Sequence, residues 1–197
     1  MAHWQLVSRV LLALACLGLA LPVQAMQIRE LKYLREYVED SSKILYPGTL
    51  PSHYQLSYFN INLNPADANI SGLLRASYYE ATYEQILQPR GYDLPYHLGN
   101  IQLRVSLNQN NINVVSSCQQ PGQEIWSVLT RLGQELQFCA RLKDYSVPVQ
   151  QSGRSSQINL KAYEVALIGP AHFSLRGYRL VKSHFLEFVR NLNFGRP

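Results

Sequence analysis

Residues Val10–Leu21 form an unbroken apolar run of 12 residues, preceded by Arg9 and followed by Pro22 and the small-residue step Val23-Gln24-Ala25. A membrane-spanning helix needs about 20 apolar residues. The run is too short and meets a helix breaker at once, so residues 1–25 read as a secretory signal peptide cleaved after Ala25. Cys16 offers an alternative, a lipoprotein anchored through that cysteine, but the apolar run continues past it to Leu21. Cleavage after Ala25 leaves a mature chain from Met26 to Pro197, the lipoprotein route one that starts at Cys16 on a membrane, and either places the fold in an oxidising compartment, which constrains everything downstream.

Only Cys118 and Cys139 then remain. In an exported chain they are expected to pair. The predicted bond closes a loop of about 20 residues and contributes roughly 3 kcal/mol by the chain-entropy argument. A catalytic cysteine has no local motif to support it.

The 197 residues and 47% hydrophobic content fit one folded domain, taken here as 26–197. Eleven Gly and ten Pro leave no room for a collagen-like or low-complexity reading. After removal of Arg9 the chain holds 17 basic and 13 acidic side chains, a net of +4. The excess lies at one end: from Gln151 onward seven basic residues face two acidic ones, Glu164 and Glu187. A partner attracted by charge would meet that end first.

The hydrophobic pattern suggests an α+β domain with helices packed on one face of a mainly antiparallel sheet, in the order α-β-α-β-β-α-β-β-α. Ile28, Leu31, Leu34, Val38 and Leu45 predict an amphipathic helix over 26–45, followed by a connector at 46–55. Phe59, Ile61 and Leu63 alternate with asparagines and predict a strand. A second helix is expected over 68–87. Ile101, Leu103, Val105 and Leu107 alternate cleanly, and with Ile112 to Ser117 they predict a hairpin over 100–117. Gly122, Ile125, Val128, Leu129, Leu132 and Leu136 predict a third helix, with a strand over 137–142 after it. The polar stretch 150–157 reads as a loop. A strand over 158–168 and a last helix from Tyr178 to Leu192 complete the order.

Searches for chemistry return little. His53, His97, His172 and His184 are scattered singly without ligand spacing, so no metal site is expected. There is no Gly-x-Ser-x-Gly elbow and no phosphate-cradling glycine loop. Glu80 and Glu84 are the best-spaced carboxylates, and beside Arg75 they read as a solvated face. No catalytic residue and no cofactor are assigned.

Tyrosine distribution is the one departure from an ordinary composition: ten of thirteen fall between Tyr33 and Tyr96. A rigid apolar ring with a polar tip suits protein or glycan contact surfaces. Tyr78, Tyr79, Tyr83, Tyr92 and Tyr96 are therefore the first candidates for a binding surface, joined by the basic Arg176, Arg179 and Lys182. The expected function is that of an exported, non-catalytic binding or adaptor protein, an accessory subunit of a bacterial cell-envelope assembly, periplasmic or secreted. Its partner is expected to be an envelope protein, with an anionic membrane surface or a glycan as other options and nucleic acid excluded by export. Alternatives are an exported hydrolase whose site assembles only in three dimensions, and a periplasmic inhibitor or immunity protein. Bacterial origin follows from the short signal and the lone Asn69-Ile70-Ser71 sequon.

Overall fold

The computed structural model describes residues 33–38, 41–64, 75–87, 96–107, 112, 115, 117–169 and 171–194. The expected signal peptide, Cys16, the sequon and Tyr92 lie outside them. Nine strands and one regular helix make up the described chain: β1 Leu45–Pro47, β2 Tyr54–Asn64, β3 Arg75–Leu87, β4 Tyr96–Ser106, β5 Gln123–Leu129, β6 Glu135–Gln151, β7 Arg154–Leu167, β8 Phe173–Leu180, α1 Lys182–Arg190 and β9 Leu192–Phe194. Seven of the strands form one sheet in the order β2-β3-β4-β8-β7-β6-β5, and β1 pairs β9 in a separate ribbon. Every pairing between these strands is antiparallel.

This corrects the α+β expectation: the chain is a β-rich fold with a single regular helix on its sheet. Residues 75–87 are strand β3, where a helix was expected, because Tyr79, Ala81 and Tyr83 turn to the core while Tyr78, Glu80 and Thr82 turn away. The expected third helix is the β5–β6 hairpin, turned at Gly133 with φ 80°. Strand β4 pairs β3 and β8, and between Leu107 and Ser117 the described residues Ile112 and Val115 form isolated bridges to Ala171 and Ile168, so no described strand completes the hairpin expected over 100–117. Of the helix expected over 26–45, the described residues are α-helical at 33–34 and continue as single turns of 3-10 helix, Arg35–Tyr37 and Ser41–Lys43, before β1. The expected loop over 150–157 is mostly ladder: only Ser152 and Gly153 turn, between the paired Gln151 and Arg154. Strands over 59–64, 137–142 and 158–168 stand, each longer than expected. The last helix starts at Lys182, since Tyr178–Leu180 belong to β8.

One face of the sheet carries the core. Tyr83, Ile101, Leu103, Leu175, Phe138 and Trp126 line it, and α1 lies across them with Phe185, Phe188 and Val189 buried. Edge-to-face rings lock the helix down: Phe138 on Phe185 at 5.0 Å and Tyr83 on Phe188 at 5.1 Å. The close approach of neighbouring strands depends on Gly99. A Cβ there would stand 2.3 Å from the carbonyl oxygen of Arg179, itself in a left-handed bulge at φ 56°.

Across β3, β4 and β8 the second face of the sheet is polar and open. Beyond the reach of β5 and β8, strands β6 and β7 continue as a two-stranded arm to the turn at Ser152-Gly153.

Candidate functional site

Alternation along β3, β4 and β8 sends one set of side chains to the open face, and the register aligns them in rows. Glu80 stands opposite Arg104, which stands opposite Ser174; Thr82 stands opposite Gln102, which stands opposite Arg176. Tyr78 faces Ser106 in the row beside the first. With Tyr58 of β2 these residues line a cleft of about 720 Å³.

Two cations shape it. The Arg104 guanidinium lies 4.1 Å from the centre of the Tyr78 ring, and its Nε is 3.4 Å from Glu80 Oε1. Such a cation over a tyrosine face is worth about 0.5–1 kcal/mol where exposed, and it fixes the ring as one wall of the cleft. Arg176 is exposed, and among the described residues no carboxylate pairs with it. Gln102, Thr82 and Ser174 add neutral hydrogen-bonding groups between the two cations. Tyr58 is 51% exposed and leaves an aromatic surface at the rim.

Among the described residues the cleft lining holds one carboxylate, Glu80, which pairs with Arg104, and no histidine. Further along the same face Glu84 accepts or shares a proton with His97 at 2.9 Å, an exposed pair outside the cleft. Glu80 and Glu84 thus belong to a solvated face, each with its own cationic or imidazole neighbour. Among the described residues no three His, Cys, Asp or Glu side chains converge to hold a metal ion.

The structure brings together only part of the sequence-selected set. Tyr78 and Arg176, 98 positions apart in sequence, meet through the intervening strand β4. Tyr79 and Tyr83 point the other way and are buried in the core, where burial pushes both hydroxyl pKa values well up. Tyr79 is a structural strut: its hydroxyl donates to Leu45 O and accepts from Leu45 N–H at 2.7 Å, tying β1 to β3. Tyr96 opens β4 opposite Leu87, and Tyr92 falls outside the described residues. Arg179 sits in the β8 bulge. Lys182 starts α1 on the opposite face, 4.6 Å over the Trp126 ring and 3.9 Å from Glu124. Tyr58, Gln102 and Arg104 were not selected from sequence; the alternation of β4 contained the signal for the last two, since its polar residues had to share one face.

A second polar cluster borders the base of the arm. Glu164 accepts from Tyr145 at 2.9 Å and pairs with Lys143 at 2.5 Å. Burial raises the Glu164 carboxyl, but hydrogen bonds from Lys143 and Tyr145 and the charges of Lys143 and Arg141 outweigh it and hold the pKa below the usual carboxylate value. Burial and the bond to Glu164 push Tyr145 up.

Cys118 and Cys139 form the expected disulfide, with Cα atoms 5.4 Å apart. It anchors the entry to β5 onto β6. Among the described residues no helix is long and apolar enough to cross a membrane. No family model, curated protein or solved structure matches the chain.

Proposed function

We propose that this chain is an exported, non-catalytic binding protein, an accessory subunit of a bacterial cell-envelope assembly, and that it holds a protein partner in the open-face cleft. One observation carries the reading: Arg176, exposed and without a carboxylate partner among the described residues, shares a polar cleft with Tyr78 and Arg104. Arg and Tyr are the residue types that dominate binding energy at protein interfaces. The chemistry fits a partner segment that brings an acidic side chain to Arg176 and an apolar or aromatic group to the tyrosines. The disulfide supports delivery to an oxidising compartment. Signal cleavage after Ala25 belongs to the same reading, and N-terminal sequencing of the exported product is expected to begin at Met26.

The test is affinity capture by the mature, disulfide-intact chain from its own envelope extract, compared with Arg176→Glu and Tyr78→Ala. Both variants are expected to lose a partner that the wild type retains, with at least about tenfold weaker binding once that partner is purified. Equal retention by both variants overturns the proposal. So does turnover in a hydrolase screen that a single cleft substitution abolishes.

A further inference from the structure

Strand β5 ends the seven-stranded sheet, and among the described residues no strand pairs with its outer side. A bare edge presents unpaired N–H and C=O groups, and natural edges are blunted by lysines, prolines, bulges or brevity. The opposite edge follows that rule, since β2 carries two register irregularities, at Leu56/Tyr58 and Asn62/Leu63. Strand β5 does not. Its seven residues pair β6 in unbroken register, carry one charge at Glu124, and leave Ile125 60% and Leu129 62% exposed.

The hairpin fixes which backbone groups of β5 face outward. Thr130 N–H donates to Gln134 O at 2.9 Å, across the turn toward β6. Both backbone groups of a residue in an antiparallel ladder point to the same side, and the side alternates along the strand. Val128, Trp126 and Glu124 therefore address β6, while Leu129, Ser127 and Ile125 address the open edge. The flanking residues agree: Gln123 N–H bonds Gln120 O, and Arg131 N–H bonds Arg190 O.

We propose that a second copy of this chain adds to this edge, antiparallel, with the twofold axis between the two Ser127 residues. In that register Ile125 stands opposite Leu129 of the second copy, and Ser127 opposite Ser127. The three outward residues of each strand exchange six backbone hydrogen bonds. Sliding the register by two residues one way sets Ile125 against Arg131, whose N–H is already taken. Sliding it the other way sets Leu129 against Gln123, whose N–H is taken by Gln120. Shifts by one residue oppose outward groups with groups that address β6.

The side chains complement each other about the same axis. Two Ile125/Leu129 pairs cover exposed apolar surface on one face, while Trp126 and Val128 on the other are already buried within each copy. Glu124 falls opposite Thr130 of the second copy, so the two carboxylates stand six positions apart, about 20 Å at 3.4 Å per residue and beyond a Debye length at physiological salt. This self-complementarity is what an isologous contact requires, and it favours a second copy over an extended segment of another protein. The open-face cleft lies on β3, β4 and β8, away from this edge, so the dimer presents two clefts.

Sedimentation velocity over a concentration series of the mature, disulfide-intact chain tests the assignment. The wild type is expected to dimerise. Ser127→Pro removes an outward N–H that β6 does not use, and Leu129→Lys places a cation on an exposed apolar position; each is expected to weaken the dimer at least tenfold with unchanged far-UV circular dichroism. Should the proline disturb the strand, the lysine variant still decides. Facing Ser127 residues in a hydrogen-bonded pair bring Cα atoms to about 5.5 Å, within disulfide range, so oxidised Ser127→Cys is expected to migrate as a covalent dimer. A chain that stays monomeric throughout, a dimer indifferent to Leu129→Lys, or Ser127→Cys that fails to cross-link within a dimer overturns the proposal. None of these results bears on partner binding at Arg176.

Discussion

Tyr79 and Tyr78 are adjacent in sequence and opposite in role. The Tyr78 ring stands in the open cleft beneath Arg104, while Tyr79 is fully buried with its hydroxyl bonded to both backbone groups of Leu45. Tyr79→Phe keeps the ring and orphans a buried N–H and C=O at once, so it is expected to destabilise the fold by about 1–3 kcal/mol, read as a lower denaturant midpoint at unchanged m value. Tyr78→Phe is expected to leave stability within about 0.5 kcal/mol, as for an exposed side chain. His172 provides a pH test. Burial, then the nearby Lys43 charge, lowers its pKa below the ordinary value. Between that lowered value and about 6.5 the unfolded chain binds a proton that the folded chain refuses. Stability is therefore full above about pH 6.5, declines as pH falls through that window, and levels off below it. Urea midpoints at about pH 7.5 and about pH 5 are expected to differ less for His172→Gln than for the wild type. The tyrosine-rich composition was visible in the sequence, yet not which rings face solvent, because that depends on strand register, and a single-residue step reverses it.

Strand β5 shows why an element can be misread from its pattern. Ile125, Val128, Leu129, Leu132 and Leu136 match a helical period only because Ile125, Leu129 and Leu132 are exposed apolar residues that a half-buried strand would not normally carry. The alternation of Trp126 and Val128 was present beneath them. In β3 the inward Tyr79, Ala81 and Tyr83 differ too little in hydropathy from outward Tyr78 and Thr82 for a period of two to stand out. By contrast Ile101, Leu103 and Val105 alternate with Gln102 and Arg104, and that strand was legible at once. The same holds for α1, whose Phe185, Phe188 and Val189 stripe survives in the structure with only its first turn reassigned to β8. The tip of the β6–β7 arm, 150–157, reads as a loop because its turn residues, Ser152 and Gly153, sit among polar strand residues. Both have positive φ, at 50° and 72°, the signature of a two-residue hairpin turn. Gly153→Ala forces a Cβ into that region at a cost of about 1–2 kcal/mol. Amide exchange is expected to accelerate in residues 143–161 while the protection of β3 and β4 stays unchanged, because among the described residues no third strand pairs with the arm in that span.

At the scale of the molecule, the order β2-β3-β4-β8-β7-β6-β5 joins segments from distant parts of the chain, and that order is what builds the cleft: Tyr78 and Arg176 meet only because β8 returns to pair with β4. No local pattern encodes this pairing, whereas the disulfide follows from a count of the thiols expected to remain in an exported chain, and so was legible. Its consequence for stability is equally direct. Cys118 and Cys139 are 21 positions apart and enclose β5 with its hairpin turn, the edge strand with neighbours on one side only. Reduction opens a loop of about 20 residues in the unfolded chain, which lowers folding stability by about 3 kcal/mol if the native geometry is kept. At roughly 2–4 °C per kcal/mol for a domain of this size, the thermal midpoint is expected to fall by about 6–12 °C. Because the bond holds the entry to β5, exchange protection in residues 123–129 should drop before that of β3, β4 and α1 as reductant is raised. Uniform loss of protection across the sheet at the same reductant concentration would instead mean that β5 and the rest of the sheet open as one cooperative unit, and that the staple acts on the whole core.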